Sequence, residues 1–304
     1  MKKNNLRVKI YGVRGSYPLT VAGNTQFGVN TTSLRFDIGK HVVVFDAGTG
    51  IINLGSDLFA ELKTGNTHQN LFKIHLLFTH THIDHLMGFP YFSMIYHPQC
   101  ELNVIAPTIL NTPVKEAIEK IMSPEIFPVT LPELGCSFNY LEFGENRILY
   151  FFEESFQIIR TAENDTVDHN WIARISCIRN YTHPRGGCYI YKIETNNGNS
   201  VVLATDIEGF IGLDQRLVNF ANRANILIHD AQYTPQEYQM FQGYGHSTYE
   251  MACQVAKKAR VGKLLLFHHD PKHSDEKLLE IEQKAKDIFS ESYLASESME
   301  FEFL

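Results

Sequence analysis

No run of apolar residues in the sequence approaches the ~18 needed to cross a bilayer. The cationic start Met1-Lys2-Lys3-Asn4-Asn5-Leu6-Arg7 has no apolar stretch behind it. Neither a membrane span nor a secretory leader is therefore expected. Paired cysteines are missing too. The five present (Cys100, Cys136, Cys177, Cys188, Cys253) are odd in number, scattered, and form no Cys-x-x-Cys. This argues against a disulfide framework and for reduced thiols in a cytoplasmic protein. Cations are scarce: 27 Lys and Arg stand against 34 Asp and Glu, a net charge of -7. Broad nucleic-acid binding through phosphate neutralisation is not expected of such a chain, whereas a small phosphorylated substrate held by metals is compatible with it. Low-complexity tracts, linker-like runs and internal repeats are absent, so the 304 residues are read as one domain, 1–304.

What the chain does have is a series of short apolar runs that stop at polar residues. Val8–Tyr11, Ser33–Asp37, His41–Phe45 and Ile74–Phe78 read as strands, and Ile51–Leu62 has helical spacing. The segment 87–134 holds most of the eleven prolines and reads as an irregular cap with a helix near Val114–Met122. Leu149–Phe152 and Phe156–Thr161 read as further strands. Beyond them strand and helix alternate: Ser200–Ala204, Ile226–Ile228 and Leu264–Phe267 are strands. Ser247-Thr248-Tyr249-Glu250 reads as a capping box opening a helix to about Arg260, and Leu278, Ile281, Ala285 and Ile288 mark a last amphipathic helix. Met299–Leu304 alternates as an edge strand does. Asp46, His80, Asp206, His229 and His268 each follow a short apolar strand, and in α/β folds the carboxyl ends of strands gather ligand-binding residues on one rim.

The strongest chemical signal is His80-Thr81-His82-Ile83-Asp84-His85. Imidazole and carboxylate are the donors that divalent metals of borderline softness prefer. A tight loop can turn His80 and His82 toward one ion and Asp84 and His85 toward a second. Two ions about 3.5–4 Å apart need a bridge and further ligands, which must come from later in the chain.

With its flanking motifs this run resembles the metallo-β-lactamase superfamily, and within it the phosphodiesterase branch that includes ribonuclease Z and the cyclic phosphodiesterase of phosphonate breakdown. Asp46 matches the family's first motif. His80, His82, Asp84 and His85 match the second, His183 in Thr182-His183-Pro184 the third. Asp206 matches the bridging carboxylate and His268 the last metal histidine. Ile228-His229-Asp230-Ala231-Gln232 is similar to the His-Glu-Ala-Thr motif of ribonuclease Z, with Asp230 standing where that motif has Glu. Gly245-His246-Ser247-Thr248 is similar to its His-Ser-Thr motif.

The resemblance implies an α/β fold, a four-layer αβ/βα sandwich, and two divalent metal ions, by default zinc, with Mn or Fe also accepted by such donors. His80, His82, His183 and Asp206 would hold one ion, and Asp84, His85, His268 and Asp206 the other. A metal-bridging hydroxide would be the nucleophile, His246 would sit at the scissile phosphate, and His229 would orient His246 or the metal shell with Asp230 as its partner. Asp84, His229 and His246 are thus the catalytic candidates. His269, adjacent to His268, leaves the ligand assignment open to a slip of one residue, and Arg14 is either a phosphate contact or a turn stabiliser. His41, His68, His75, His97, His169 and His273 are read as ordinary surface, strand or loop residues.

One departure from ribonuclease Z bears on the substrate. The arm with which that family grips tRNA lies between the third-motif histidine and the bridging aspartate, and here only 22 residues separate His183 from Asp206. The expectation is a phosphodiesterase on a small or cyclic phosphate, with tRNA not expected as a partner. A thioesterase or lactonase of the same fold and a non-catalytic biosynthetic protein are the alternatives, and homodimers are common among relatives.

Overall fold

The computed structural model describes residues 6–20, 25–64, 71–108, 112–209 and 212–303; His68 lies outside them. Two sheets face each other. The first has seven strands in the order Glu300–Phe303, Leu6–Gly12, Ser33–Ile38, His41–Phe45, Phe72–Leu77, Cys100–Ala106 and Ser137–Glu142. Its last four strands run parallel. The second has eight strands in the order Ser292–Leu294, Lys263–Phe267, Ile226–Asp230, Ser200–Ala204, Cys188–Thr195, Ala173–Asn180, Arg147–Phe151 and Phe156–Arg160. Its first four strands run parallel.

Period-two alternation sorts the side chains into layers. Val43 and Phe45 enter the core between the sheets, while Val42 and Val44 face the helix Gly50–Lys63. In the second sheet Ile226 and Ile228 face inward, and Leu227 packs outward with Ala252 and Val255 of the helix Tyr249–Ala259 and Leu278 and Ile281 of the helix Asp275–Ile288. The result is helix, sheet, sheet, helix: the expected four-layer α/β sandwich.

Two local expectations are corrected. The Pro-rich segment is not irregular throughout. Cys100–Ala106 is a strand between Phe72–Leu77 and Ser137–Glu142, and Phe89, Phe92, Met94 and Ile95 are buried against the first sheet. Pro98 and Pro107 stand outside this strand at either end, where they remove no ladder hydrogen bond. The helix at 249 is capped by Thr248, not Ser247, because the Ser247 hydroxyl is already used: it donates to the Ile207 carbonyl (2.6 Å) and accepts from Gly209 N (3.0 Å).

Candidate metal centre

The parallel strands of both sheets end on one rim, and the polar residues that follow them meet there. His80, His82 and His183 form one group of donors; Asp84, His85, Asp206 and His268 form a second. Within each group the donor atoms lie within 4.8 Å of one another. His82 Nδ1 and His183 Nε2 lie 2.8 Å apart. Asp206 stands between the groups: Oδ1 is 3.8 Å from His80 Nε2 and 3.2 Å from His268 Nε2, and Oδ2 is 3.1 Å from His85 Nε2. Asp84 Oδ2 lies 3.5 Å from His85 Nε2 and 3.4 Å from His268 Nε2. The Nε2 atoms of His80, His85 and His268 are buried without a hydrogen-bond partner. Buried polar atoms are rarely left so; three of them pointing at shared carboxylates fit a pair of divalent cations, whose preferred donors are imidazole and carboxylate.

The far nitrogens of His85, His183 and His268 are held. Asp46 Oδ2 lies 2.8 Å from His85 Nδ1 and accepts from Thr79 Oγ1 at 2.7 Å, while Oδ1 accepts from Thr79 N at 2.8 Å. His183 Nδ1 donates to the Gly245 carbonyl at 3.0 Å, and His268 Nδ1 donates to Gln232 Oε1 at 2.9 Å. Asp84 Oδ2 accepts from the backbone of Ser16 at 2.9 Å. An imidazole donating from Nδ1 keeps a lone pair on Nε2, so these bonds select the tautomer that can coordinate. The packing leaves no slack. A Cβ at Gly15 would stand 2.4 Å from His268 Nδ1, and one at Gly245, whose φ is +93°, 2.4 Å from His183 Nδ1. Asp46, Asp206 and His268 all have left-handed backbone (φ 60°, 55° and 61°), a strain that functional strand ends often carry.

Burial alone would push the Asp206 carboxyl up, but His268, His85 and His80 hold it well below the usual carboxylate range. Asp84 is likewise lifted by burial and pulled well below by His85 and His268. Burial pulls His85 down, yet Asp206, Asp84 and Asp46 raise it well above its ordinary value. His80 is lowered well below its own value by burial and by His85, and His183 falls to about 4, chiefly by burial. The buried anionic oxygens of Asp206 and Asp84 make a field that favours cations, which is why His85 between them is raised.

The remaining candidates sort by strand parity. His246 is at the centre: its ring stacks on His268 (4.9 Å, 21°), and one of its nitrogens lies within 4.8 Å of the donors of His183 and Asp206. His246 Nδ1 pairs with Asp230 Oδ2 at 2.7 Å. Burial lowers this imidazole, but Asp230 outweighs it and raises the pKa to about 9. His229 is corrected. In the strand Ile226–Asp230 neighbouring side chains face opposite sides, so only Asp230 enters the rim. His229 points to the helix side, among Glu208, Leu217 and Met251, and its Nδ1 meets the Asp230 carbonyl at 2.7 Å. It is Asp230, not His229, that meets His246. His269 turns away to the Ala295 carbonyl (2.8 Å), which removes the one-residue ambiguity. Arg14 is fully buried and donates to the carbonyls of Gly28 (2.8 Å) and His273 (3.4 Å), so it stabilises turns. Gln232, Thr79, and the backbones of Ser16 and Gly245 were not anticipated; their contacts span long sequence separations that leave no local signal.

The segment from His183 to Asp206 is mostly a hairpin, Cys188–Thr195 paired antiparallel with Ser200–Ala204. Among the described residues no helix is long and apolar enough to cross a membrane.

The family model of the Beta-lactamase superfamily domain matches residues 41–269. Ribonuclease Z of Thermoplasma acidophilum is 26% identical over 98% of this chain and 97% of its own. Among solved structures, the metallo-beta-lactamase fold protein YhfI of Bacillus subtilis superposes with a TM-score of 0.67 at 17% identity, covering 99% of this chain and 100% of that one. The short form of human tRNase Z gives a TM-score of 0.60 at 18% identity, covering 97% and 98%. One expectation falls with these findings: the reading against tRNA as a partner does not stand, since a relative matched from end to end is a ribonuclease Z. The short hairpin and the acidic balance describe how this chain differs from that family's armed members and do not exclude its substrate.

Proposed function

This chain belongs to the beta-lactamase superfamily, and from that premise we propose that it is a dinuclear metal-dependent phosphodiesterase acting on a small or cyclic phosphate. The observation that carries the reading is the His246–Asp230 pair set beside two groups of metal donors. Hydrolysis of a phosphodiester needs charge on the phosphoryl oxygens stabilised and a proton delivered to the leaving oxygen. His80, His82, His183 and Asp206 would hold one ion, and Asp84, His85, His268 and Asp206 the other, with zinc the first choice for this donor set. When bound, two such ions supply Lewis acidity and lower the pKa of water from ~15.7 toward ~7.

The chain's own residues do the rest. Asp206 faces both groups, with Oδ1 toward His80 and His268 and Oδ2 toward His85. Asp46, Gln232 and the Gly245 carbonyl keep the rings aimed. With Nδ1 tethered to Asp230, His246 has Nε2 free to hand a proton to the leaving oxygen, and the carboxylate keeps that proton in place at neutral pH. Hydrolysis of bis(p-nitrophenyl) phosphate, with metal content measured alongside, tests this. About two ions per chain are expected, with a loss of about 10²–10⁴ in kcat for His246→Ala. Two ions with no turnover of any phosphodiester, and cleavage of a thioester or lactone instead, would move the assignment to those esters.

A second substrate reading, RNA, is favoured by the end-to-end match to ribonuclease Z. Parallel assays on a precursor tRNA and on 2′,3′-cyclic nucleotides separate the two.

A further inference from the structure

A groove of about 340 Å³ is lined by Phe143, Glu145, Arg147, Arg179, Tyr181 and Tyr189. It lies where Cys100–Ala106 and Ser137–Glu142 end, the next two strands along the sheet from the one that leads to His80. Strands are spaced about 4.8 Å, so those two strand ends lie about 5–10 Å from the strand that leads to His80. Two chain connections fasten the groove to the metal donors. Tyr189 N donates to the carbonyl of Thr79, the neighbour of His80, at 2.9 Å, and Tyr181 precedes His183 by two residues.

The chemistry of the walls is specific. The Tyr181 ring is 66% exposed, and the Arg179 guanidinium lies 4.9 Å from its centroid and 5.8 Å from that of Tyr189. Arg179 is held in place by donating from Nε and Nη2 to the Gly186 carbonyl. The acids of the groove are already matched: Glu142 by Arg147 (3.2 Å) and Glu145 by Arg216 (2.5 Å). Among the described residues the Arg179 guanidinium forms no ion pair, while its backbone N–H donates to Glu145 Oε1 at 2.8 Å. A positioned guanidinium without a counter-charge, in a chain of net charge -7, beside an exposed ring and connected through the chain to a phosphodiester-cutting centre, is suited to an anion joined to an aromatic plane.

We propose that this groove is a nucleotide subsite: Tyr181 stacks the base next to the scissile phosphate, and Arg179 holds that nucleotide's other phosphate. The proposal rests on the phosphodiesterase reading and narrows its substrate to nucleotidyl esters, whether mononucleotide or polynucleotide.

The test is calorimetric titration of the metal-loaded protein with adenosine 5′-monophosphate and with ribose 5-phosphate, which lacks the base. It reads binding without turnover, so its failure is distinct from a failure of the catalytic reading. Stacking on an aromatic side chain is worth about 1–3 kcal/mol, so Tyr181→Ala should weaken the nucleotide about 5- to 150-fold and leave the base-less sugar phosphate unchanged. Tyr181→Phe should restore binding. Equal affinity of the two ligands for the wild type, or a Tyr181→Ala variant that binds the nucleotide as well as the wild type, would overturn the proposal. A decamer of adenylate identifies the source. Tighter binding than the monomer, weakened selectively by Arg179→Gln, marks a polynucleotide; affinity independent of length marks a mononucleotide.

Discussion

Two sets of buried histidines in this molecule look alike one residue at a time and differ as groups. At the rim, His80, His85 and His268 each leave Nε2 without a hydrogen-bond partner. Between the sheets, His75 leaves both ring nitrogens unpartnered. Rings surround it, His41 at 5.6 Å, Phe151 at 5.3 Å and Phe156 at 4.6 Å, and the buried Asn103 stands opposite it on the next strand. Each orphaned polar atom costs on the order of 1–3 kcal/mol. At the rim the orphans converge on Asp84 and Asp206, so a bound cation can satisfy them together. In the aromatic box no carboxylate pairs with the ring among the described residues, and the cost stays with the fold. An unpartnered buried nitrogen is therefore weak evidence of a site, whereas several that share carboxylates are strong evidence.

The largest effect is expected where the convergence is broken. Asp206→Asn removes the charge that both donor groups face. Metal content, measured by mass spectrometry after dialysis, should fall from about two ions per chain to less than one, with loss of phosphodiester hydrolysis. Full metal content in this variant would break the comparison, because the orphaned nitrogens would then be satisfied without the shared carboxylate. Asp46→Asn is milder. Its oxygens orient His85 and touch no other donor of the two groups, and loss of such a hydrogen bond costs about 10–100-fold in metal affinity or activity. Titration with a competing chelator measures it, and an unchanged affinity would show that packing alone holds the ring.

The same contrast explains what could be read in the sequence. The rim donors were legible because His80, Asp206 and His268 all follow apolar strands, and parallel strands of a sandwich deliver such residues to one edge. Most strands and the two longest helices were legible from period and capping. Cys100–Ala106 was masked by the prolines around it, although its own run Leu102, Val104, Ile105 is strand-like. The exchange of His229 for Asp230 was readable too: period-two alternation forbids neighbours in a strand from serving one site, and the motif match set that rule aside. Gln232 on His268 and the Gly245 carbonyl on His183 were not readable, because each pairs residues 36 and 62 positions apart through loops. The cap at Thr248 depended on a tertiary contact, the Ser247 hydroxyl with Ile207 and Gly209.

The smallest effect sharpens the comparison from the other side. Burial lowers His75 to about 3, with smaller contributions from His41 and Lys73. The unfolded chain takes up a proton on this ring near pH 6.5. Between pH 6.5 and about 3 the unfolded state therefore binds more protons than the folded one, and stability falls as pH falls through that window. At pH 5 the loss from this one residue is about 2 kcal/mol relative to pH 8. His75→Leu keeps an apolar side chain in the aromatic box and titrates nothing. Urea unfolding at pH 8 and pH 5 should show the variant gaining on the wild type by that amount at the lower pH, while metal content and turnover stay as they were. If the gap between the two proteins is the same at both pH values, the ring is protonated as readily in the fold as outside it, and the box must supply a partner for its nitrogens. If turnover falls as well, His75 is coupled to the rim, and the division between the two sets of histidines does not hold.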